Sequence, residues 1–183
     1  MKKVLLFSIF CFLATMLSAF AYQTIIIDWP KGTKWNVAYY ESMGNESILQ
    51  YVPDGQSGSY WTRSMIIHSY RNSSNTSPQL SSALTRQMFL QNPTCKYRYF
   101  KIEPTDTIAM RCTSTYNGIA GQCEIFRVTH SQEGQISIQY IDKSKAHFRN
   151  TYPTWYRIVR GAKTYESYYM DERVMNKAES YQL

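Results

Sequence analysis

Apolar and polar positions repeat mainly every second residue, the period of a strand with one buried face. Residues 23–28 (QTIIID) form a short apolar run, and Trp29–Pro30–Lys31–Gly32 reads as a turn. Residues 34–41 (KWNVAYYE) alternate and predict a second strand. Met43–Gly44–Asn45 turns the chain into a third, 46–52. Pro53–Asp54–Gly55 carries strong turn chemistry and leads to a long strand over 60–70. After the polar loop 71–77 the period changes. Ser77 suits an N-cap and Pro78 a first helical residue. Leu80, Ala83, Leu84, Gln87 and Met88 then follow helical spacing over 78–91, and Asn92–Pro93 ends the helix. Strands are predicted again at 97–102, 107–114, 123–130 and 134–141, with turns at 103–106, Asn117–Gly118 and 132–134. Pro153 is expected to open a last helix whose apolar face is Trp155, Ile158, Val159 and Ala162.

Strands, a helix, more strands and a final helix argue for an α+β fold. It would have one mostly antiparallel sheet, a helix after the fourth strand and a C-terminal helix. The expected organisation is a signal peptide over 1–21, a single domain over 22–163 and a polar extension, helical or mobile, over 164–183. The first segment, MKKVLLFSIFCFLATMLSAFA, has two lysines, an apolar stretch from Val4 to Leu17 and an A-x-A site. This is the pattern of a secretory signal of bacterial type, cleaved between Ala21 and Tyr22. Cys11 raises a lipoprotein signal as the alternative, but Ser8–Ile9–Phe10 before it lacks the small pair such a site needs. No second stretch approaches membrane length. The mature chain is therefore expected to be periplasmic or secreted, without a transmembrane segment.

The formal charge of +7 becomes +5 once Lys2 and Lys3 are removed. The positive charges are scattered, so the mild excess suits a solvated surface or adhesion to anionic surfaces. Nucleic acid is not an expected partner of an exported chain. All 16 tyrosines lie after residue 21. Tyrosine suits strands, and it also suits interfaces and sugar stacking.

Cys95, Cys112 and Cys123 follow the signal segment. One disulfide and one thiol is the simplest arithmetic in an oxidising compartment. A two-residue turn at Asn117–Gly118 sets Cys112 opposite Cys123, but on a wide, hydrogen-bonded pair. A Cys95–Cys112 bridge between neighbouring strands is equally open on these grounds.

Catalytic patterns are weak. Residues 55–60 do not make a phosphate cradle, because the turn opens a strand and no Lys–Ser/Thr follows. His68, His130 and His147 lack metal-ligand spacing, and no cofactor is implied. A Cys123/His130 nucleophile lacks a local activator, and Glu124 would oppose thiolate formation. Glu41, Glu46 and Asp54 lie close in sequence, as turn and strand-end carboxylates often do; a glycosidase pair would have to meet through space. The matches to the N-glycosylation pattern at Asn45, Asn72 and Asn75 are expected to be idle in a bacterial chain.

The stretch YVPDGQSGSYWTRSMII, residues 51–67, resembles a motif of small exported bacterial proteins of unassigned function. There a strand ends in a Val–Pro–x–Gly–Gln/Glu turn, and a Trp–Thr pair starts the next. The likeness runs more weakly through Cys95, Cys112 and Ala120–Glu124, and fades toward Gln139–Tyr140. It implies a PsbP/Mog1-like α+β fold and no catalytic residues. It also implies a Cys95–Cys112 disulfide, with Cys123 as a free thiol peculiar to this chain. Pro53, Gly55, Gln56, Trp61 and Thr62 become structural residues. Gly55 would allow the turn, Gln56 and Thr62 would satisfy local backbone, and Trp61 would anchor the sheet, so that Trp61→Ala costs ~3–5 kcal/mol.

The expected function is a non-enzymatic envelope protein that binds other envelope proteins, as an accessory subunit of an assembly such as a secretion system. The alternatives are a cell-wall or carbohydrate-active enzyme and a secreted effector that binds a host target.

Overall fold

The computed structural model describes residues 22–167. In chain order these form β1 (Tyr22–Ile26), β2 (Trp35–Met43), β3 (Glu46–Pro53), β4 (Arg63–Arg71) and helix α1 (Ser77–Gln91). Then come β5 (Lys96–Glu103), β6 (Asp106–Cys112), β7 (Cys123–Ser131), β8 (Gly134–Asp142), helix α2 (Lys145–Gly161) and β9 (Lys163–Ser167). The chain divides into two compact units. One contains the β1–β9 pair; the other is residues 26–163, whose seven strands form a single antiparallel sheet in the order β2-β3-β4-β8-β7-β6-β5. This is the α+β architecture expected from the pattern, with a helix after the fourth strand and one at the C-terminal end. Among the described residues no helix is long and apolar enough to cross a membrane.

The helix starts differ from expectation. Thr76, not Ser77, caps α1. Its hydroxyl accepts from the Gln79 N–H at 3.4 Å, and Gln79 Oε1 accepts from the Thr76 N–H at 2.8 Å. This reciprocal capping box leaves Ser77 inside the helix, buried, donating to Gln135 Oε1 at 2.9 Å. The inward face is Leu80, Ser81 and Thr85 with Leu84; Ala83 and Gln87, expected there, are exposed. Small buried hydroxyl residues take the place of part of the apolar stripe.

Pro153 does not open α2. It lies inside a helix that begins eight residues earlier, at Lys145. The true start is Ser144, whose hydroxyl accepts from the His147 N–H at 3.2 Å. Asp142 Oδ1 fixes the Ser144 N–H at 2.8 Å. The buried face gains Phe148, two turns before Trp155, and this packing carries the helix through the proline. At the other end Arg127 Nη1 donates to the carbonyls of Arg160 and Ala162, at 3.0 and 2.7 Å, where helix carbonyls lack internal partners.

The helices lie on opposite sheet faces. Leu80 of α1 clusters with Ala109, Phe126 and Val128. Trp155 of α2 stacks on Tyr140 at 3.9 Å, and Trp35 meets Trp155 edge-on at 5.3 Å. Tyr140, Phe126, Met65, Ile108, Ile125, Ile136, Ile138 and Val128 are fully buried between these layers.

Trp61 is not part of that core. β4 begins at Arg63 rather than 60, and Trp61 sits half-buried before it with the Lys143 ammonium 3.8 Å from its ring centre. Trp35 and Trp155 hold the place assigned to it. Urea unfolding should therefore separate the two: Trp155→Ala is expected to cost ~3–5 kcal/mol, and Trp61→Ala ~1–2 kcal/mol. Equal losses would contradict the half-buried position of Trp61.

Candidate binding face

Register assigns side chains to faces. β6 and β7 pair Ala109 with Phe126, and β7, β8 and β4 pair Phe126 with Gln139 and Gln139 with Ile66. The row continues through Gln50 on β3 to Tyr39 on β2. All belong to the face that carries α1. The next row on that face reads Val128, Ser137, His68, Ile48 and Glu41. α1 packs chiefly on β5, β6 and β7, and its first turn reaches β8 through Ser77 and Gln135. Among the described residues no helix covers most of the part of this face formed by β2, β3 and β4, where Gln50 and Ser64 are buried and Tyr70 packs against the α1 cluster. Tyr39 and Met43 are 44 % and 70 % exposed, beside half-buried Glu41, Ile48, Ile66 and His68.

Polar groups on the open area are prearranged. The Tyr39 hydroxyl donates to Glu41. His68 lies between two partners: Nε2 is 3.0 Å from Glu46 Oε2, and Nδ1 is 2.9 Å from the Tyr70 hydroxyl. With Nε2–H donating to Glu46, the tyrosine hydroxyl donates to Nδ1, so the neutral ring satisfies both. Burial lowers the His68 pKa, and Glu46 opposes the shift. Burial pushes Tyr70 up to about 12. The arrangement presents aromatic faces, thioether and carboxylate acceptors, which suits binding.

The motif residues border this area. Pro53 ends β3, buried, and its carbonyl accepts from the Gln56 N–H at 3.1 Å. Gly55 has φ +78°, the left-handed turn conformation that favours glycine. Gln56 Oε1 accepts from the Thr62 N–H at 2.7 Å, and its Nε2 donates to the Thr62 hydroxyl at 3.1 Å. These two residues close the loop on each other. Gly58 brings the loop against β2: a Cβ there would stand 3.1 Å from the Ala38 carbonyl oxygen. Asp54 accepts from Asn36 at 2.8 Å.

The cysteines correct the expected pairing. Cys112 and Cys123 form the disulfide, and Cys95 is the free, buried thiol. The expected Cys95–Cys112 bridge fails on parity. Lys96 pairs with Cys112, so Cys95, one residue earlier, points to the opposite face. The objection to Cys112–Cys123 rested on an unbroken ladder out from Asn117–Gly118. That ladder breaks. Tyr116 and Ile119 form an isolated bridge, and Thr113 N–H donates to the Gln122 carbonyl at 2.8 Å. The cysteines thus stand at a close pair, Cα atoms 4.1 Å apart.

Cys95 shares its face with Arg111 and Glu124. Burial pushes its thiol pKa up, Arg111 opposing and Glu124 adding to the shift. Arg111 and Glu124 pair directly across the ladder, 3 % and 1 % exposed, with the guanidinium 4.0 Å from the Phe126 ring centre. Burial raises the Glu124 pKa against the pull of Arg111.

His130 is exposed near the end of β7, its Nδ1 3.2 Å from Gln135 Nε2, and Cys123 is committed to the disulfide. His147 Nδ1 lies 2.5 Å from Asp142 Oδ2, which also accepts from the Tyr140 hydroxyl at 3.0 Å. Among the described residues no group of three or more His, Cys, Asp and Glu side chains could hold a metal ion. Tyr22 opens β1. Ala21, the signal segment before it and residues 168–183 of the extension lie outside the described residues. Sequence reasoning missed the Glu46–His68–Tyr70 array. Its signal was the His-x-Tyr spacing, which puts both rings on one face of a strand, beside a strand that opens with glutamate.

Two outcomes follow. A polar maleimide should leave Cys95 unmodified in the native protein and label it after denaturation, with residues 112 and 123 recovered as a cross-linked peptide pair. A lowered His68 pKa means that the unfolded chain takes up its proton first. His68 therefore contributes stability above about pH 6.5 that falls away as pH drops toward the folded pKa. The unfolding free energy should decline through that window, and His68→Asn should flatten the decline.

No curated protein matches the chain. A family model matches residues 30–161, from the turn before β2 to the end of α2. The chain belongs to that family, a small and uncharacterised bacterial one.

Proposed function

We propose that this is an exported, non-enzymatic protein of the bacterial envelope that acts by binding, as an accessory subunit of an envelope assembly. The open area of β2, β3 and β4 is its docking face. The observation that carries this reading is the set Tyr39, Glu41, Met43 and His68, exposed or half-buried side by side on a sheet that, among the described residues, no helix covers there. Exposed aromatic and methionine side chains on a rigid support are the usual anchors of protein interfaces. Export is supported by the segment 1–21 and by the Cys112–Cys123 disulfide, a bond that persists in oxidising compartments. The PsbP/Mog1-like likeness suggested by residues 51–67 is compatible with an antiparallel sheet carrying a helix on each face.

The test is site-specific cross-linking in the bacterium of origin. A photo-reactive residue at Tyr39 should trap a defined envelope protein, and one at Ala83, on the exposed side of α1, should not. Equal yields from both positions would remove the docking face. Recovery of the cross-linked species from the medium would move the partner outside the cell.

A further inference from the structure

Among the described residues the seven-stranded sheet has two edge strands, β2 and β5, each paired on one side only. An edge strand presents a row of unpaired N–H and C=O groups, and proteins guard it with bulges and charge. Both edges carry one bulge, at Ala38 in β2 and at Phe100 in β5. Each bulge leaves a regular run on one side: Tyr39 to Met43 on β2, and Lys96 to Tyr99 on β5. The runs are five and four residues long and differ in charge. The β2 run contains a single ionisable acid, Glu41, among exposed Tyr40 (60 %) and Met43. The β5 run carries Lys96 and Arg98, both exposed, around Tyr97 (59 %).

We infer that β2 of one copy of this chain pairs edge-to-edge with β5 of another. The inference rests on the binding function proposed above and names one partner. Pairing β2 with β2 would set Glu41 against Glu41, and β5 with β5 would set lysine and arginine against their equals; like charges across a ladder are unfavourable. Pairing β2 with β5 sets Glu41 against Lys96 and Arg98 and brings Tyr40 to Tyr97. Aromatic and opposite-charge cross-strand pairs are the favourable ones. The contact joins different surfaces of the two copies, so it propagates head to tail rather than closing into a two-fold dimer.

Sedimentation of the purified protein over a range of concentrations tests this. The weight-average mass should rise with concentration past that of a dimer. Glu41→Lys alone, and Lys96→Glu with Arg98→Glu, should each weaken association by about tenfold or more. An equimolar mixture of the two variants should associate again, because each then meets an opposite charge at both edges. Circular dichroism matching the parent establishes that the variants are folded. A parent that stays monomeric, a mass that levels off at a dimer, or a mixture that fails to reassociate would overturn the inference. Cross-linking of an envelope protein at Tyr39 with no self-association would keep the proposed function and remove this inference alone.

Discussion

Both helices are fixed to the sheet through polar side chains of one buried strand. β8 is covered on both faces and pairs along its whole length with β4 and β7. A polar group in such a strand costs about 1–3 kcal/mol if left without a partner, so each polar side chain there selects what lies over it. Gln135, near the start of β8, accepts from Ser77 and donates to the Asn75 carbonyl at 2.9 Å, pinning the first turn of α1. Asp142, at the end, accepts from Tyr140, from the Ser144 backbone and from His147, pinning the first turn of α2. Between them Ile136, Ile138 and Tyr140 supply the apolar surface on which α2 packs. The two helix starts lie at opposite ends and on opposite faces of the same nine residues.

The element order was legible because alternation and turn chemistry are local. The strands pair through tight turns that the sequence announces, at Gly44–Asn45 and Gly134 among others, where glycine takes a positive φ. What escaped reading was decided by longer-range partners. Thr76 outranks Ser77 as a cap because Gln79 completes a box, while Ser77 is claimed by Gln135, 58 residues away. Pro153 looked like a helix start because nothing in its own neighbourhood shows that Asp142 and Ser144 have already begun one. The family resemblance of residues 51–67 assigns Trp61 to the core; the core place is filled by Trp35, stacked on Trp29 at 5.3 Å. For the cysteines the ladder count leaves two pairings open, and the resemblance tips the choice to Cys95–Cys112. Pairing parity depends on every residue between the partners, and the broken ladder around Gly121, where a Cβ would stand 2.6 Å from the Thr113 carbonyl oxygen, changes it.

The open face follows from the same two anchors. Seven strands spaced about 4.8 Å apart span roughly 29 Å, and a helix with its side chains is about 10–12 Å wide. One helix cannot cover a face. On the α2 side the uncovered end is closed by aromatic side chains from the chain before β2 and from the strands themselves: Trp29 stacks on Trp35 and meets Tyr51 edge-on at 5.1 Å. On the α1 side no comparable set among the described residues serves β2 and β3. α1 cannot move across to them, because Gln135 holds its first turn and Leu80 is seated among Ala109, Phe126 and Val128. The loop closed by Gln56 and Thr62 reaches only as far as Ala38 and Gln50. Tyr39, Glu41 and Met43 lie beyond it. They stay accessible while the central strands β7 and β8 are buried, and the rigidity that a binding surface needs comes from β8, two strands away from β3.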